Sequence, residues 1–481
     1  MTNAVLEQYD SGTPISEGTL GHLTPEQDAA LRDLWTRLLD LLPTPALDPL
    51  SAPTPSPASA SSLSPSPSPA PSAPLPATAK RTSRLRLPGT TASASSSASL
   101  SQLPSSSADK PHASNSSNSG GWFGFGAAKT EPTAFRQLVG EVAPASSRPP
   151  ERAAIDAGAR PALTMREAFW STVLCDNPDV LLLRFLRARK WRPDDALAML
   201  VACLRWRQTE DVDRLVWTGE SQLNLALMRS GVGAMHRTDR IGQPVLYVPV
   251  RLNDPKAQPP EHMVDYTVYL MEVARVVLHP PVEKVCLLVD TTDMSMSNMD
   301  WNFFRTFLTY LEHYYPECLG LVLIYNASWV FHGLWKLIRP LLDPVVASKV
   351  HFAADQKELQ RFIAPENLPL EYGGTGNFSY TYAMPEEKEN APMFDVMARD
   401  SAAAAHLAAC DEFETATRAW AAAVTTAASQ PDQSPDVDAR RNAAASGVVA
   451  ASKAMDKFCR ARTQYHRTGI IAADMAVNWT P

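Results

Sequence analysis

Lys349 is the residue of this 481-residue chain whose chemistry most clearly asks for a partner. It lies in PLLDPVVASKVHF (340–352), among valines, an alanine and a phenylalanine, just after the apolar stretch SWVFHGLWKLIRPLL (328–342). A buried, unpaired ammonium costs several kcal/mol. The setting therefore demands either a counter-charge or a solvated strand position. Asp290 ends the apolar run KVCLLVD (284–290), where doubly wound enzymes often place a catalytic carboxylate. A lone carboxylate there more often caps the following turn. No phosphate-binding P-loop, GxSxG or HExxH motif occurs, and the ten histidines do not cluster at metal-ligand spacing. The residues give no positive sign of catalysis, of a cofactor or of a metal site.

Bulk composition narrows the classes further. Hydrophobic residues make up 45%, enough for a sizeable core. The net charge is -7 and the pI about 5.8, which argues against a nucleic-acid partner. Six scattered cysteines without a CxxC fit reduced thiols rather than a disulfide framework. The N-terminus lacks the basic start and apolar run of a secretory signal. The apolar windows around 266–278 and 319–342 are broken by Glu272, Arg275, His332, Lys336 and Arg339, so neither reads as a membrane span.

Elements that would position Lys349 follow from periodicity. HLTPEQDAALRDLWTRLLDLL (22–42) opens on the start signals Thr24, Pro25 and Glu26 and repeats Leu31, Leu34, Trp35, Leu38, Leu39 and Leu42 at helical spacing. Residues 43–120 are rich in Ser, Pro and Ala and carry no aromatic side chain, so this stretch is expected to be disordered. Its KRTSRLR cluster (80–86) reads as a solvated charge run or an anionic-lipid patch, and GWFGFG (121–126) as a sticky linker or an aromatic docking motif. Three helices follow in TMREAFWSTV, NPDVLLLRFLRARK and RPDDALAMLVACLRWRQ. Strands QPVLYVPV (243–250), KVCLLVD (284–290), LGLVLIYNA (319–327) and KVHF (349–352) then alternate with helices at 260–278, 299–315 and 329–342, and ADQKELQRFI adds a last helix. That alternation predicts parallel pairing in an α/β fold. After about 385 an alanine-rich tail reads as helical decoration.

LLLRFLRARKW (181–191), ALAMLVACLRWR (196–207), HRTDRIGQPVLYVPV (236–250), the run from YYPECLGLVLIYNASWVF to VASKVHF (314–352) and IAPENLPLEYGG (363–374) together resemble the CRAL-TRIO lipid-binding family, in its fungal phosphatidylinositol-transfer branch. The resemblance implies a helical N-terminal lobe plus a mostly parallel sheet that forms a lipid pocket closed by a gate helix. It divides the chain into a displaced first helix (20–42), an insertion (43–155), the helical lobe (156–215), the lipid-binding domain (216–384) and a helical extension (385–481). The family's headgroup contacts fall on Arg189 and Lys190 in RARK, Glu317 in YYPE and Lys349 in VASK. A phosphodiester needs such cations, and Glu317 would accept from inositol hydroxyls or hold Lys349 in place. On residue type alone, Arg189 and Lys190 also suit a solvated helix C-terminus.

The gate falls at about 328–345, with Trp329, Phe331, Leu334, Trp335, Ile338, Leu341 and Leu342 as its apolar face. Val346 stands where the family pattern has threonine, and Val285 and Leu287 where choline-lipid carriers have hydroxyls. Gly373 and Gly374 match a glycine pair that a tight backbone would require. The implied function is non-enzymatic: binding one phospholipid, phosphatidylinositol first, and moving or presenting it between membranes. It also implies transient membrane contact through the gate, protein partners through the insertion, and a cytoplasmic location at endoplasmic reticulum, Golgi or endosome surfaces. Alternatives are another apolar ligand (sterol-like, isoprenoid or haem) or a lipid-sensing adaptor.

Overall fold

The structure, a computed structural model, describes Tyr9, Gly12 and residues 17–44, 164–427 and 434–480. KRTSRLR, GWFGFG and all of 45–163 lie outside the described residues. Helix α1 (Pro25–Leu41) starts with a capping box in which the Thr24 hydroxyl accepts from the Gln27 amide and the Gln27 side chain returns to the Thr24 N–H. Its apolar stripe, Leu31, Leu34, Trp35, Leu38 and Leu39, is buried. Helices α2 (Met165–Val173), α3 (Pro178–Ala188) and α4 (Pro193–Thr209) meet that stripe with Phe169, Leu182, Phe185 and Leu200. Burying each such side chain contributes roughly 1.5–3 kcal/mol. Short helices α5 (Val212–Thr218) and α6 (Leu225–Ser230) lead to the sheet.

Five strands lie in sequential order: β1 (Ala234–Thr238), β2 (Pro244–Pro249), β3 (Val285–Asp290), β4 (Leu319–Tyr325) and β5 (Val350–Ala353). β1 pairs antiparallel with β2, and every other pair is parallel. The register puts Leu246, Leu287, Val322 and Val350 in one row across the sheet and Val248, Val289, Ile324 and Phe352 in the next row of the same face. Residues between them, such as Cys286, Leu288 and Leu323, face the other way, onto Leu359 and Phe362 of α11 (Gln356–Phe362). This is the two-residue alternation of a strand buried on both faces.

The crossovers are α7 (Pro260–Val277) before β3, α8 (Trp301–Thr309) before β4, and α9 (Trp329–Ile338) with α10 (Pro344–Ser348) before β5. The continuous gate expected at 328–345 is instead divided. Pro340 has no N–H to donate, and a 3-10 turn at Arg339–Leu341 separates α9 from α10. The expected helix over 299–315 also changes character, closing in a π-helical turn at Tyr310–Tyr314. Behind α7, Glu272 accepts from Arg207 at 2.7 and 3.2 Å and from the Tyr315 hydroxyl at 2.8 Å. Burial opposes its ionisation, but Arg207 and Arg275 outweigh that and hold the carboxyl well below its usual range.

The alanine-rich tail is not decoration. Helices α12 (Val396–Ala427) and α13 (Ser434–Cys459) form a hairpin that returns to the lobe, and α14 (Gln464–Arg467) follows. Cys410, Phe413, Trp420 and Val448 share the core of α1. At its centre Asp179 of α3 accepts two bonds from Arg441 of α13, at 2.6 and 2.7 Å, and one from the Trp35 indole at 2.6 Å. Both charged side chains are almost fully buried, and the Arg441 guanidinium also lies 4.0 Å over the Trp420 ring. Arg441→Met strands the Asp179 carboxylate, so we expect a loss of about 3–5 kcal/mol, read as a lower urea midpoint. An unchanged midpoint would show that the C-terminal hairpin is not part of the cooperative core.

Candidate functional site

Between the sheet and its crossover helices lies a cavity of about 310 Å³. Its floor is formed by Leu246, Val248, Leu287, Val289, Val322, Ile324 and Val350 from the apolar rows of β2 to β5. Leu270, Met271 and Ala274 of α7 and Phe303, Phe304 and Phe307 of α8 form its walls. Of the residues expected to form a gate, Phe331, Trp335, Ile338 and Leu342 line it, while Leu334 is buried beside it. The side chain of Leu341 lies outside the described residues. Trp329 points away and is 85% exposed; Leu337, on the same outer side, is 66% exposed. α9 is thus apolar inward and carries large apolar groups outward, interspersed with exposed Lys336 and Arg339.

The few polar side chains at the cavity wall already have protein partners. Tyr266 donates to the Gly233 carbonyl at 2.6 Å and Thr267 to the Met263 carbonyl at 2.7 Å. Asn253 and Asn298 each donate to the other's backbone carbonyl, at 2.9 and 2.8 Å, and Asp300 caps the Phe303 amide. An occupant therefore meets almost only hydrocarbon. Val285, Leu287 and Val346, the three positions without a hydroxyl, all line this space.

At one end of the floor the chemistry reverses. Lys349 donates to Glu317 at 3.3 Å, with both side chains mostly buried. Glu317 has φ +55, a left-handed backbone that costs a non-glycine residue about 1–2 kcal/mol, and it sits where the chain turns into β4. Burial opposes its ionisation. Lys349, Lys284 and Arg187 together prevail and hold the carboxyl below its ordinary range. Burial pushes Lys284 down to about 8, with Lys349 and Arg187 acting in the same direction. Arg187 donates to Glu283 at 2.8 Å and to the Gly18 carbonyl at 2.8 Å.

The structure brings Lys349 and Glu317 together but does not bring the expected Arg189 and Lys190 to them. α3 ends at Ala188; Arg189 caps it and donates to the adjacent Ala188 carbonyl at 3.2 Å, while Lys190 is exposed at φ +52. Arg187, in the last turn of α3, faces the cluster instead. Arg187, Glu283 and Lys284 were missed in the sequence. The signal was there: EKV, PEC and SKV each place a charged residue just before a parallel strand, and neighbouring parallel strands begin at the same edge.

Asp290 holds no exposed catalytic position. It accepts from the Thr292 amide at 2.9 Å, capping its turn, and from Arg251 at 2.6 Å. Gly373 has φ +76, and a Cβ on Gly374 would lie 2.0 Å from the Leu368 carbonyl oxygen, so the glycine pair answers a close backbone approach. No group of three or more His, Cys, Asp or Glu among the described residues could hold a metal ion.

A family model described as the CRAL/TRIO domain matches residues 228–374, and one described as the CRAL/TRIO N-terminal domain matches 132–202. A CRAL-TRIO domain-containing protein of Schizosaccharomyces pombe is 37% identical over 313 residues, covering 64% of this chain and 69% of that protein. The phosphatidylinositol transfer protein CSR1 of Eremothecium gossypii is 34% identical over 261 residues, 52% of this chain and 60% of the relative, so less than two thirds of its length is spanned. The Sec14 cytosolic factor of Schizosaccharomyces pombe is 28% identical over 212 residues, 41% of this chain and 74% of the relative.

The charge cluster makes a direct prediction. Glu317 supports the Lys284 ammonium, so Glu317→Gln should move the Lys284 titration further below about 8. NMR of isotopically methylated lysines reads it. A Lys284 titration identical in the variant and the parent would mean that the two groups are not coupled.

Proposed function

This chain belongs to the CRAL/TRIO family, and on that premise we propose that it binds a single phospholipid, phosphatidylinositol, and moves or presents it between membranes without chemical change. The observation that carries this reading is the pairing of a dry, apolar cavity with a cluster of buried cations at one end. Two acyl chains of roughly thirty carbons are held in a bilayer by about 20 kcal/mol or more, at about 0.8 kcal/mol for each buried CH₂. Extraction without an energy source requires a cavity that restores nearly all of it. A wall whose polar groups are already hydrogen-bonded to protein fits that requirement. The headgroup phosphate would lie at Lys349, with Glu317 orienting the lysine and accepting from ring hydroxyls.

α9 is the proposed gate. Trp329 and Leu337 on its outer side suit an interfacial docking face, and Trp is favoured where apolar and polar media meet. Among the described residues no helix is long and apolar enough to cross a membrane, which fits transient surface contact rather than insertion. Arg189 and Lys190 lie at the exposed end of α3, so their part in this proposal is attraction to anionic lipid rather than headgroup contact. Cytoplasmic action at endoplasmic reticulum, Golgi or endosome surfaces remains part of the proposal, as do protein partners through 43–155.

A second reading rests on Val346, Val285 and Leu287. Their apolar side chains at the cavity wall favour a ligand with little polarity, such as a sterol-like, isoprenoid or haem molecule. Mass spectrometry of lipid co-purifying with the full chain separates the two. Phosphatidylinositol is the expected species, and a sterol, prenyl lipid or haem in its place replaces the first reading with the second. Lys349→Ala should slow phosphatidylinositol transfer between vesicles by about tenfold, the equivalent of one charge-assisted contact, in a domain that still unfolds cooperatively. Transfer at the parental rate would remove Lys349 from the headgroup site.

A further inference from the structure

Lys284 is the one cation of the buried cluster that the site as described leaves unused. It directly precedes β3, as Lys349 directly precedes β5, and Glu317 lies two residues before β4, between them. The strand pairing holds these three starts together: the Val285 amide donates to the Cys318 carbonyl at 2.9 Å, and the Val322 amide to the Lys349 carbonyl at 2.9 Å. The next residues along each chain, Val285, Cys318 and Val350, line the end of the apolar cavity.

Three cations, Arg187, Lys284 and Lys349, face two carboxylates, Glu283 and Glu317. Arg187 is committed to Glu283 and the Gly18 carbonyl, and Lys349 to Glu317. Arg184 donates to the Glu283 carbonyl and pairs with Asp176. Among the described residues, none forms a hydrogen bond or ion pair with the Lys284 ammonium. Among the described residues this edge carries one more cation than carboxylate, and Glu317 and Glu283 offset the Lys284 charge only in part, an imbalance that an arriving anion would relieve.

We infer that Lys284 and Lys349 form a two-cation seat for one phosphate group at the edge of the sheet, with Lys284 as a specificity-determining residue. This rests on the proposed binding of phosphatidylinositol, whose headgroup phosphodiester supplies such a group. A phosphate there takes donors from two strand starts at once, and Glu317 between them offsets part of the repulsion between the two ammonium groups. The seat distinguishes a phosphate-bearing headgroup from an uncharged one by charge alone. Its strength depends on pH with a definite sign. The Lys284 ammonium, held at about 8 before an anion binds, loses its proton as pH rises through that value, and the hold on phosphate weakens. Arg187, Glu283, Glu317 and Lys349 are the charged groups that face it.

The test uses the full chain in two arms. In one, it is loaded with phosphatidylinositol from phosphatidylcholine vesicles containing that lipid. In the other, soluble inositol 1-phosphate is titrated calorimetrically. Lys284→Met, which keeps the stem and removes the charge, should lower loading by about tenfold. Lys284→Arg should restore it and should abolish the decline seen in the parent between about pH 7 and pH 9. If the parent loads no phosphatidylinositol but binds inositol 1-phosphate, and Lys284→Met loses that binding, the seat stands with a free phosphate as its ligand and the lipid reading fails. If Lys284→Met matches the parent in both arms while Lys349→Met falls, the seat is overturned and the lipid reading stands. If the parent binds neither probe, both fall.

Discussion

Parallel pairing of β2 to β5 in strict sequential order is the constraint on which the site depends. Parallel strands begin at one edge, so residues that precede them are gathered there however far apart they lie in the chain. The same pairing sends alternate residues to opposite faces, giving one face to α11 and the other to the cavity. A sheet with antiparallel pairs throughout would scatter Lys284, Glu317 and Lys349 between both edges. Sequential order also lets each crossover helix settle beside the last one on the same face, which is how α7, α8 and α9 come to enclose a single space.

Enclosing a dry cavity sets a second condition: polar groups near it must be satisfied from outside. Glu272 shows how this is met. It lies in the helix that walls the cavity, yet its carboxylate turns back toward Arg207, Arg275 and Tyr315. A carboxylate left open to hydrocarbon would take up a proton or draw in water. Arg275 and Tyr315 themselves reach the cavity wall, and their bonds to Glu272 leave that wall with satisfied polar groups. The cluster at the sheet edge differs in kind, because among the described residues its cations outnumber its carboxylates.

The strands were readable because their apolar runs are short, continuous and bounded by charged or turn residues. VCLLVD and LGLVLIY match β3 and β4, and the sequence's α/β alternation holds as a mostly parallel sheet. β1 escaped notice because AMHRT mixes His and Arg into an edge strand with no apolar alternation. The C-terminal hairpin was undervalued for another reason. Alanine-rich helices have weak amphipathic contrast, and the partners of Arg441 lie in α3 and α12, beyond any local window. Of the site, the apolar setting of Lys349 announced the need for a counter-charge, and the family resemblance named Glu317 as the residue to supply it. The resemblance pointed to Arg189, whereas the last turn of α3 carries Arg187 to the cluster, and which residue faces it depends on where the helix ends, the least determined feature of a periodic pattern.

Lys349 joins two parts of the molecule through two different groups. Its amide follows α10, donating to the Val346 carbonyl at 3.0 Å, and its own carbonyl makes the first bond of β5 to β4. β5 is a four-residue edge strand, with a single neighbour to hold it. A displacement of α9 and α10 is thus passed directly to a thin, one-sided attachment whose side chain sits in the charge cluster. The residue works as a mechanical linkage: the strand cannot be tugged at its start without moving the ammonium, and any contact that fixes the ammonium stiffens the junction of α10 with β5.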